Sequence, residues 1–141
     1  ETVGGISPDH VVARNEAELH GAGLTRRKAS YIRDMALAFK DGSVAPALWH
    51  EKEDEEIIAE LLKLRGIGRW TAEMFLIFHL LRPNVLPLDD IGLIRACERH
   101  YAGGDALARE DIESLAQPWQ PWRSVATWYL WRSLDPTAVA Y

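Results

Sequence analysis

Gly66-Ile67-Gly68, flanked by Arg65 and Arg69, and the pair Asp89-Asp90 about twenty residues later are the residues best suited to chemistry. Glycine lacks a Cβ, so a Gly-x-Gly turn reaches backbone conformations closed to other residues and lets its amides point outward. A helix beginning just after the turn would add unpaired N-terminal amides and a positive dipole end, a combination that suits a phosphate. Arg65 and Arg69 would add charge at the rim, and Ile67 would turn inward to pin the turn to the core. An acid held over whatever the turn grips can stabilise positive charge or orient a water. The combination reads as a nucleic-acid scaffold with one working carboxylate, and so a reaction at a nucleotide. The plainer alternative is a glycine turn that meets no ligand, with both aspartates serving as caps or surface acids.

Such residues need rigid elements to hold them, and the pattern supplies helices almost throughout. Ser7-Pro8-Asp9 resembles a cap with a first-turn proline and opens a short helix to about Arg14. Asn15 caps another that ends near Gly21-Ala22-Gly23, and Thr25 caps a longer one that Asp41-Gly42 stops. In that third helix Ala29, Ile32, Met35, Ala36 and Phe39 recur at helical spacing. A short apolar piece with Val44, Leu48 and Trp49 leads to a helix from about Asp54 to Lys63, with Ile57, Ile58, Leu61 and Leu62 on one face. After the glycine turn, Trp70, Met74, Phe75, Ile77, Phe78 and Leu81 predict a strongly apolar helix that Arg82-Pro83-Asn84 ends. Val85-Leu86-Pro87-Leu88 is an extended connector, because residues before proline avoid the helical region. Asp89 or Asp90 caps the next helix, to about Tyr101, and two more follow at about 110–116 and 121–132. With no β alternation and no repeat, the expectation is one all-α domain over residues 1–141.

Composition narrows the function classes. At 141 residues and 48% hydrophobic, the chain can bury a core. A net charge of −5 argues against attachment to nucleic acid by bulk attraction. The acids are uneven, however: Glu51, Glu53, Asp54, Glu55 and Glu56 crowd one helix start, where they suit the macrodipole. Bases gather at Arg26-Arg27-Lys28 and at Lys63, Arg65 and Arg69, so a local basic face with salt-sensitive affinity is compatible with the total. Arg26-Arg27-Lys28 read equally well as a solvated helix start or as phosphate contacts. Cys97 is alone, which excludes an internal disulfide and a cysteine-rich metal or iron–sulfur site. No segment is apolar for long enough to span a bilayer, and none resembles a signal peptide, so an intracellular chain is expected. It starts at Glu1 without Met, as a fragment or processed product would.

Leu64-Arg65-Gly66-Ile67-Gly68-Arg69-Trp70-Thr71-Ala72 followed by Leu88-Asp89-Asp90 resembles the helix-hairpin-helix DNA glycosylase superfamily, in its 3-methyladenine DNA glycosylase II, or alkylpurine, branch. Gly23-Leu24-Thr25-Arg26-Arg27-Lys28-Ala29 and Pro121-Trp122-Arg123-Ser124 agree with it, and the resemblance covers about residues 5–132. It implies an all-α domain with a helix-hairpin-helix DNA-binding motif, contacting the DNA backbone through Arg65, Gly66, Ile67, Gly68 and Arg69. The essential aspartate of the family falls on Asp90. Breaking an N-glycosidic bond builds positive charge on the sugar, which a carboxylate stabilises. With two adjacent acids, one can cap while the other works. Turn carbonyls, here those of Leu62, Leu64 and Ile67, would hold a structural Na+ or K+; no other cofactor is implied.

Where bifunctional relatives carry a lysine that attacks the sugar, this chain has Trp70, and it has no lysine after Lys63. The resemblance therefore implies a monofunctional hydrolase that leaves the abasic strand intact. By the same resemblance Trp131 is the base-stacking tryptophan and Trp70 lines its pocket, where an electron-rich ring attracts a cationic alkylated purine by about 0.5–2 kcal/mol. Met74 replaces a pocket aromatic. Trp119, Trp122 and Trp128 are expected to pack, and His79 and His100 to be packing or surface residues. The partner implied is duplex DNA with damaged bases, bound by a monomer in a bacterial cytoplasm or a eukaryotic nucleus. An N-terminal lobe and wedge residue, usual in the family, are expected to be lacking from this chain, with exposed apolar surface where they pack. Two other readings stay open: a hairpin module that only binds DNA, and a glycosylase for uracil or mismatched thymine.

Overall fold

The computed structural model describes residues 7–135; the first and last six residues of the expected domain lie outside the described residues. Those described contain helices and turns and no strand. They divide into two compact units, one up to Arg69 and one from Trp70 onward.

In the first unit, α1 (Pro8–Val12), α2 (Glu16–Gly21) and α3 (Arg26–Asp41) pack together, α3 against both of the others. Each begins where a side chain satisfies the orphan amides of the first turn. Ser7 accepts from His10, Asn15 forms a reciprocal box with Glu18, and Thr25 accepts from Lys28. Gly42, at φ +80°, closes α3 in the left-handed conformation that glycine adopts without a steric penalty. A 3₁₀ turn (Pro46–Glu51) buries Trp49 and leaves Leu48 exposed. It leads to α4 (Asp54–Leu61), whose Ile57, Ile58 and Leu61 are buried. Leu62, placed on that face by the sequence pattern, is instead the exposed C-cap, because α4 ends two residues early.

The crowded acids at the start of α4 have different uses. Glu53 is the N-cap of the helix, and its N–H donates to Glu56 Oε2 at 2.8 Å. Glu60, which no sequence signal singled out, is buried and bonded on both oxygens: Ala45 N–H at 2.6 Å and the Trp49 indole at 2.9 Å reach Oε1, and Lys52 reaches Oε2. Burial alone would raise its carboxyl, but the Lys52, Ala45 and Trp49 bonds outweigh it and hold the group below its ordinary range. The charge of Glu60 thus contributes stability that is fully present above about pH 4.3 and is lost as pH falls through the lowered folded value. Glu60→Gln, which keeps an acceptor but not the charge, should cost about 1–2 kcal/mol at neutral pH and flatten the acid limb of stability against pH. Thermal melts between pH 3 and 7 read both effects.

In the second unit, α6 (Ile91–Tyr101) packs on α8 (Arg123–Ser133), and α7 (Arg109–Leu115) adjoins a 3₁₀ turn (Gln117–Trp119). Their core is Leu93, Cys97 and Ile112, with Leu86, Leu88, Ile94, Leu107, Trp119 and Leu130 packed around it. Burial raises the Cys97 thiol, as expected of a small apolar core residue. The other helix is α5 (Arg69–Phe78), whose buried residues are Ala72, Glu73, Leu76 and Ile77. It does not continue to Leu81, which lies beyond it with φ +54° and 76% exposure. Trp122 and Trp128 are also largely exposed, so only Trp119 of the three remaining C-terminal tryptophans packs as expected. Among the described residues, no helix is long and apolar enough to cross a membrane.

Candidate active site and DNA-binding hairpin

The glycine turn sits between α4 and α5. Leu64 N–H donates to Leu61 O, and Ile67 N–H donates to Leu64 O at 3.2 Å, closing the turn. The buried anchor is Leu64; Ile67, expected to point inward, is only half-buried. The two glycines are not equivalent. Gly66 has φ +87°, and a Cβ there would stand 2.4 Å from Cδ2 of Tyr31, whose ring lies against the turn. The fold itself therefore demands glycine at 66. At Gly68 a Cβ would meet nothing within 4 Å, and the backbone is not left-handed. Nothing among the described residues requires glycine there, whereas an outside ligand approaching the backbone would.

Both rim arginines are engaged. Arg65 Nη1 bonds Asp34 at 3.1 Å and its guanidinium lies 5.2 Å from the Tyr31 ring centroid. Arg69 forms a two-pronged pair with Glu55, at 2.5 and 3.0 Å, which lowers the Glu55 carboxyl through the Arg69 bond.

In the second unit, the chain before α6 is fixed by the start of α8. Ser124 N–H donates to Pro83 O, its hydroxyl donates to Arg82 O at 2.6 Å, and that hydroxyl accepts from Val85 N–H at 2.9 Å. Arg123 Nε donates to Asn84 Oδ1 at 2.9 Å. Residues 82–85 are thereby held four to seven positions ahead of Asp89 and its neighbour, and Asp90 N–H donates to Pro87 O.

Asp90 is the N-cap of α6: its Oδ2 accepts Leu93 N–H at 2.7 Å. A cap needs no more than that, yet the same carboxylate accepts two indole N–H groups. Trp70 Nε1 donates to Oδ1 at 2.9 Å and Trp131 Nε1 donates to Oδ2 at 2.6 Å. The expected division of labour, one aspartate capping and the other working, is therefore not what forms. Asp90 is itself the cap and is only 8% exposed, while Asp89 points to the surface and pairs with Arg109 at 2.6 Å. Three donors on one buried carboxylate fix its orientation.

The surroundings are aromatic and partly open. Trp70, Met74 and Phe78 recur every four residues along α5 and so share one face. Trp70 is 47% exposed, Met74 is half-buried, and Phe78 stacks on Trp131 with ring centroids 5.7 Å apart. Neither Phe78 nor Gly92 carries a sequence signal for a place at this carboxylate. A Cβ at Gly92 would stand 2.8 Å from Trp131 Cδ1 and 3.0 Å from Asp90 Oδ2, so glycine is what lets this ring close on the carboxylate. Each lay in a pattern that reads as ordinary apolar or helical spacing, and only the fold brings them to Asp90. His79 stacks on Phe75 and His100 bonds Ser133, in keeping with packing or surface roles. Among the described residues no group of three His, Cys, Asp or Glu could hold a metal ion.

The chain belongs to the HhH-GPD superfamily of base excision DNA repair proteins, whose family model matches residues 1–121. It is similar to the DNA-3-methyladenine glycosidase of Bacillus halodurans, with 31% identity and a TM-score of 0.89 over 96% of this chain and 63% of that one. It is also similar to the Schizosaccharomyces pombe 3-methyladenine DNA glycosylase Mag1, solved in complex with abasic DNA, at 26% identity and a TM-score of 0.77, covering 94% and 66% of the two chains. YfjP of Bacillus subtilis, named provisionally as a DNA-3-methyladenine glycosylase, is 35% identical over 128 residues, 91% of this chain and 45% of that protein. The chain spans about half the length of the curated relatives it matches.

Proposed function

We propose that this chain is the hairpin-bearing helical part of a monofunctional DNA glycosylase that hydrolyses the N-glycosidic bond of alkylated purines such as 3-methyladenine and 7-methylguanine. The observation that carries the reading is the Asp90 carboxylate, buried, oriented by Leu93 N–H and two indoles, and bordered by an aromatic face. In this reading the chain acts as a monomer on damaged duplex DNA, gripping the backbone at Arg65, Gly66, Ile67, Gly68 and Arg69. The damaged nucleotide is extruded, since its glycosidic bond is out of reach within the stack. Trp70, Met74 and Trp131 receive the base. Asp90 stabilises the positive charge that builds on the sugar as the bond lengthens, and orients the attacking water.

Selectivity follows from charge. A cationic purine gains about 0.5–2 kcal/mol over a tryptophan face beyond what a neutral base gains by stacking, and its glycosidic bond is already weakened. Trp70 stands where a Schiff-base lysine would be needed, so the abasic strand is left uncut. The hairpin carbonyls of Leu62, Leu64 and Ile67 would hold Na+ or K+, for which neutral oxygen donors are suitable. Leu64 O accepts one bond, from Ile67 N–H, and keeps its second lone pair for such an ion. The ion would tie the turn to a strand phosphate.

A panel of duplexes tests the substrate class. Excision is expected from duplexes carrying 3-methyladenine or 7-methylguanine, and none above background from uracil or a T·G mismatch. Excision of uracil or thymine alone would transfer the site to the other glycosylase class, and binding without excision of any base would leave a DNA-holding module.

A further inference from the structure

We propose that Arg27, rather than Arg65 or Arg69, supplies the free positive charge of the DNA-binding hairpin, and that Tyr31 is the strut that joins them. The proposal rests on the reading that the hairpin holds duplex DNA. The two arginines within the turn sequence are already matched by acids, Arg65 by Asp34 and Arg69 by Glu55. Both can still touch the strand beside the turn, but the net charge they bring to a phosphate is small, because each carries a carboxylate with it. A hairpin that met DNA with these pairs alone would present amides and little net charge beyond the exposed Lys63.

Arg27 differs in both respects. It is exposed on the first turn of α3 and makes no ion pair among the described residues. Its Nε donates to Tyr31 Oη at 3.2 Å, one helical turn along. The Tyr31 ring in turn lies on Gly66, close enough to exclude a Cβ, and beneath the Arg65 guanidinium. One side chain thus touches Arg27, Gly66 and Arg65. With Nε committed to Tyr31, the terminal nitrogens of Arg27 remain available to a phosphate oxygen, and the guanidinium is held beside the turn rather than left to wander. Arg26 and Lys28 are exposed neighbours and extend the same positive edge. The acidic total of the chain then matters little, since the strand meets the α3 edge and the turn together. The partner is the phosphate backbone of duplex DNA, contacted beside the phosphate gripped at the hairpin.

Binding of the full chain to a labelled, undamaged duplex, followed by fluorescence anisotropy across a salt series, tests this. Arg27→Ala should weaken affinity about 3–10-fold near 0.1 M salt and reduce the slope of log K against log [salt] by about one, the signature of one lost phosphate contact. Arg27→Lys, which keeps the charge, should restore the slope. Tyr31→Phe keeps the ring on Gly66 but removes the acceptor for Arg27, and its loss should be smaller than that of Arg27→Ala. Melting temperatures of the Arg27 variants should match the parent, because the side chain is exposed. If Gly68→Asp abolishes binding while Arg27→Ala leaves the slope unchanged, the proposal is overturned and the hairpin reading stands. If Gly68→Asp also leaves binding intact, both fall.

Discussion

Asp90→Asn is expected to slow the release of methylated purines by about 10²–10³-fold, the usual cost of removing one preorganised group that stabilises transition-state charge. Affinity for duplex DNA should stay within about twofold, since a buried carboxylate that develops its interaction only as the bond breaks contributes little to ground-state binding. The substitution is nearly isosteric, and asparagine caps helices as well as aspartate does, so α6 keeps its start. The new amide group must, however, face an N–H donor, because Oδ1 and Oδ2 both accept indole protons in the native site. That mismatch should cost about 1–2 kcal/mol of stability, which a parallel melt measures and separates from the chemical defect. A rate within a few-fold of the parent would remove Asp90 from the reaction. Loss of DNA binding in step with loss of rate would mean that the carboxylate supports the fold rather than the chemistry.

Gly66→Ala and Gly68→Ala should behave oppositely despite standing two residues apart. Alanine at 66 must hold φ +87° and place its Cβ 2.4 Å from the Tyr31 ring. Strain in the left-handed region costs about 1–2 kcal/mol and overpacking about 1–3 kcal/mol. Together they should lower the melting temperature on the order of 10 °C. Alanine at 68 enters open space with ordinary backbone angles and should change stability by less than about 0.5 kcal/mol. Its effect is expected on DNA instead: a methyl group between the turn and a closely approaching strand should weaken duplex binding without moving the melt. Calorimetry and anisotropy on the two variants separate these cases. A destabilised Gly68→Ala would place the requirement for glycine inside the fold, and unimpaired DNA binding by that variant would remove the turn from the interface.

Helix starts were the most legible part of the sequence, because capping is local. Ser7, Asn15, Thr25 and Asp90 each begin a helix through a bond to an amide three residues on. Helix ends and faces were less legible. The apolar run after Trp70 reads as one long helix to Leu81, yet α5 stops at Phe78. Its buried side is Ala72, Glu73, Leu76 and Ile77, while Trp70 and Phe78 turn outward. Hydrophobicity alone does not distinguish a core face from a binding face, which is also why Trp122 and Trp128 read as packing residues in the sequence yet stand exposed. At the site, the glycine turn and Asp90 were readable as residues with few other uses in that spacing. The bonds among Asp90, Trp70 and Trp131 span 20 and 41 residues and leave no local trace. Gly92 and Phe78 acquire their importance only once α6, α8 and α5 bring them to the same ring. Charge was the least legible: Arg65 and Arg69 look free in sequence and are paired in space, whereas Arg27 looks like a solvated helix start and is tied to the turn.

The central claim is that Asp90, held between Trp70 and Trp131, cleaves a glycosidic bond and nothing else. The most direct measurement is incubation of the chain with dimethyl sulfate-treated duplex DNA, with released bases quantified by mass spectrometry and strands resolved on a denaturing gel. Free 3-methyladenine or 7-methylguanine should accumulate while the strands remain whole until alkali is added. Strand breaks without alkali, or no released base from damaged DNA that the chain demonstrably binds, would contradict it.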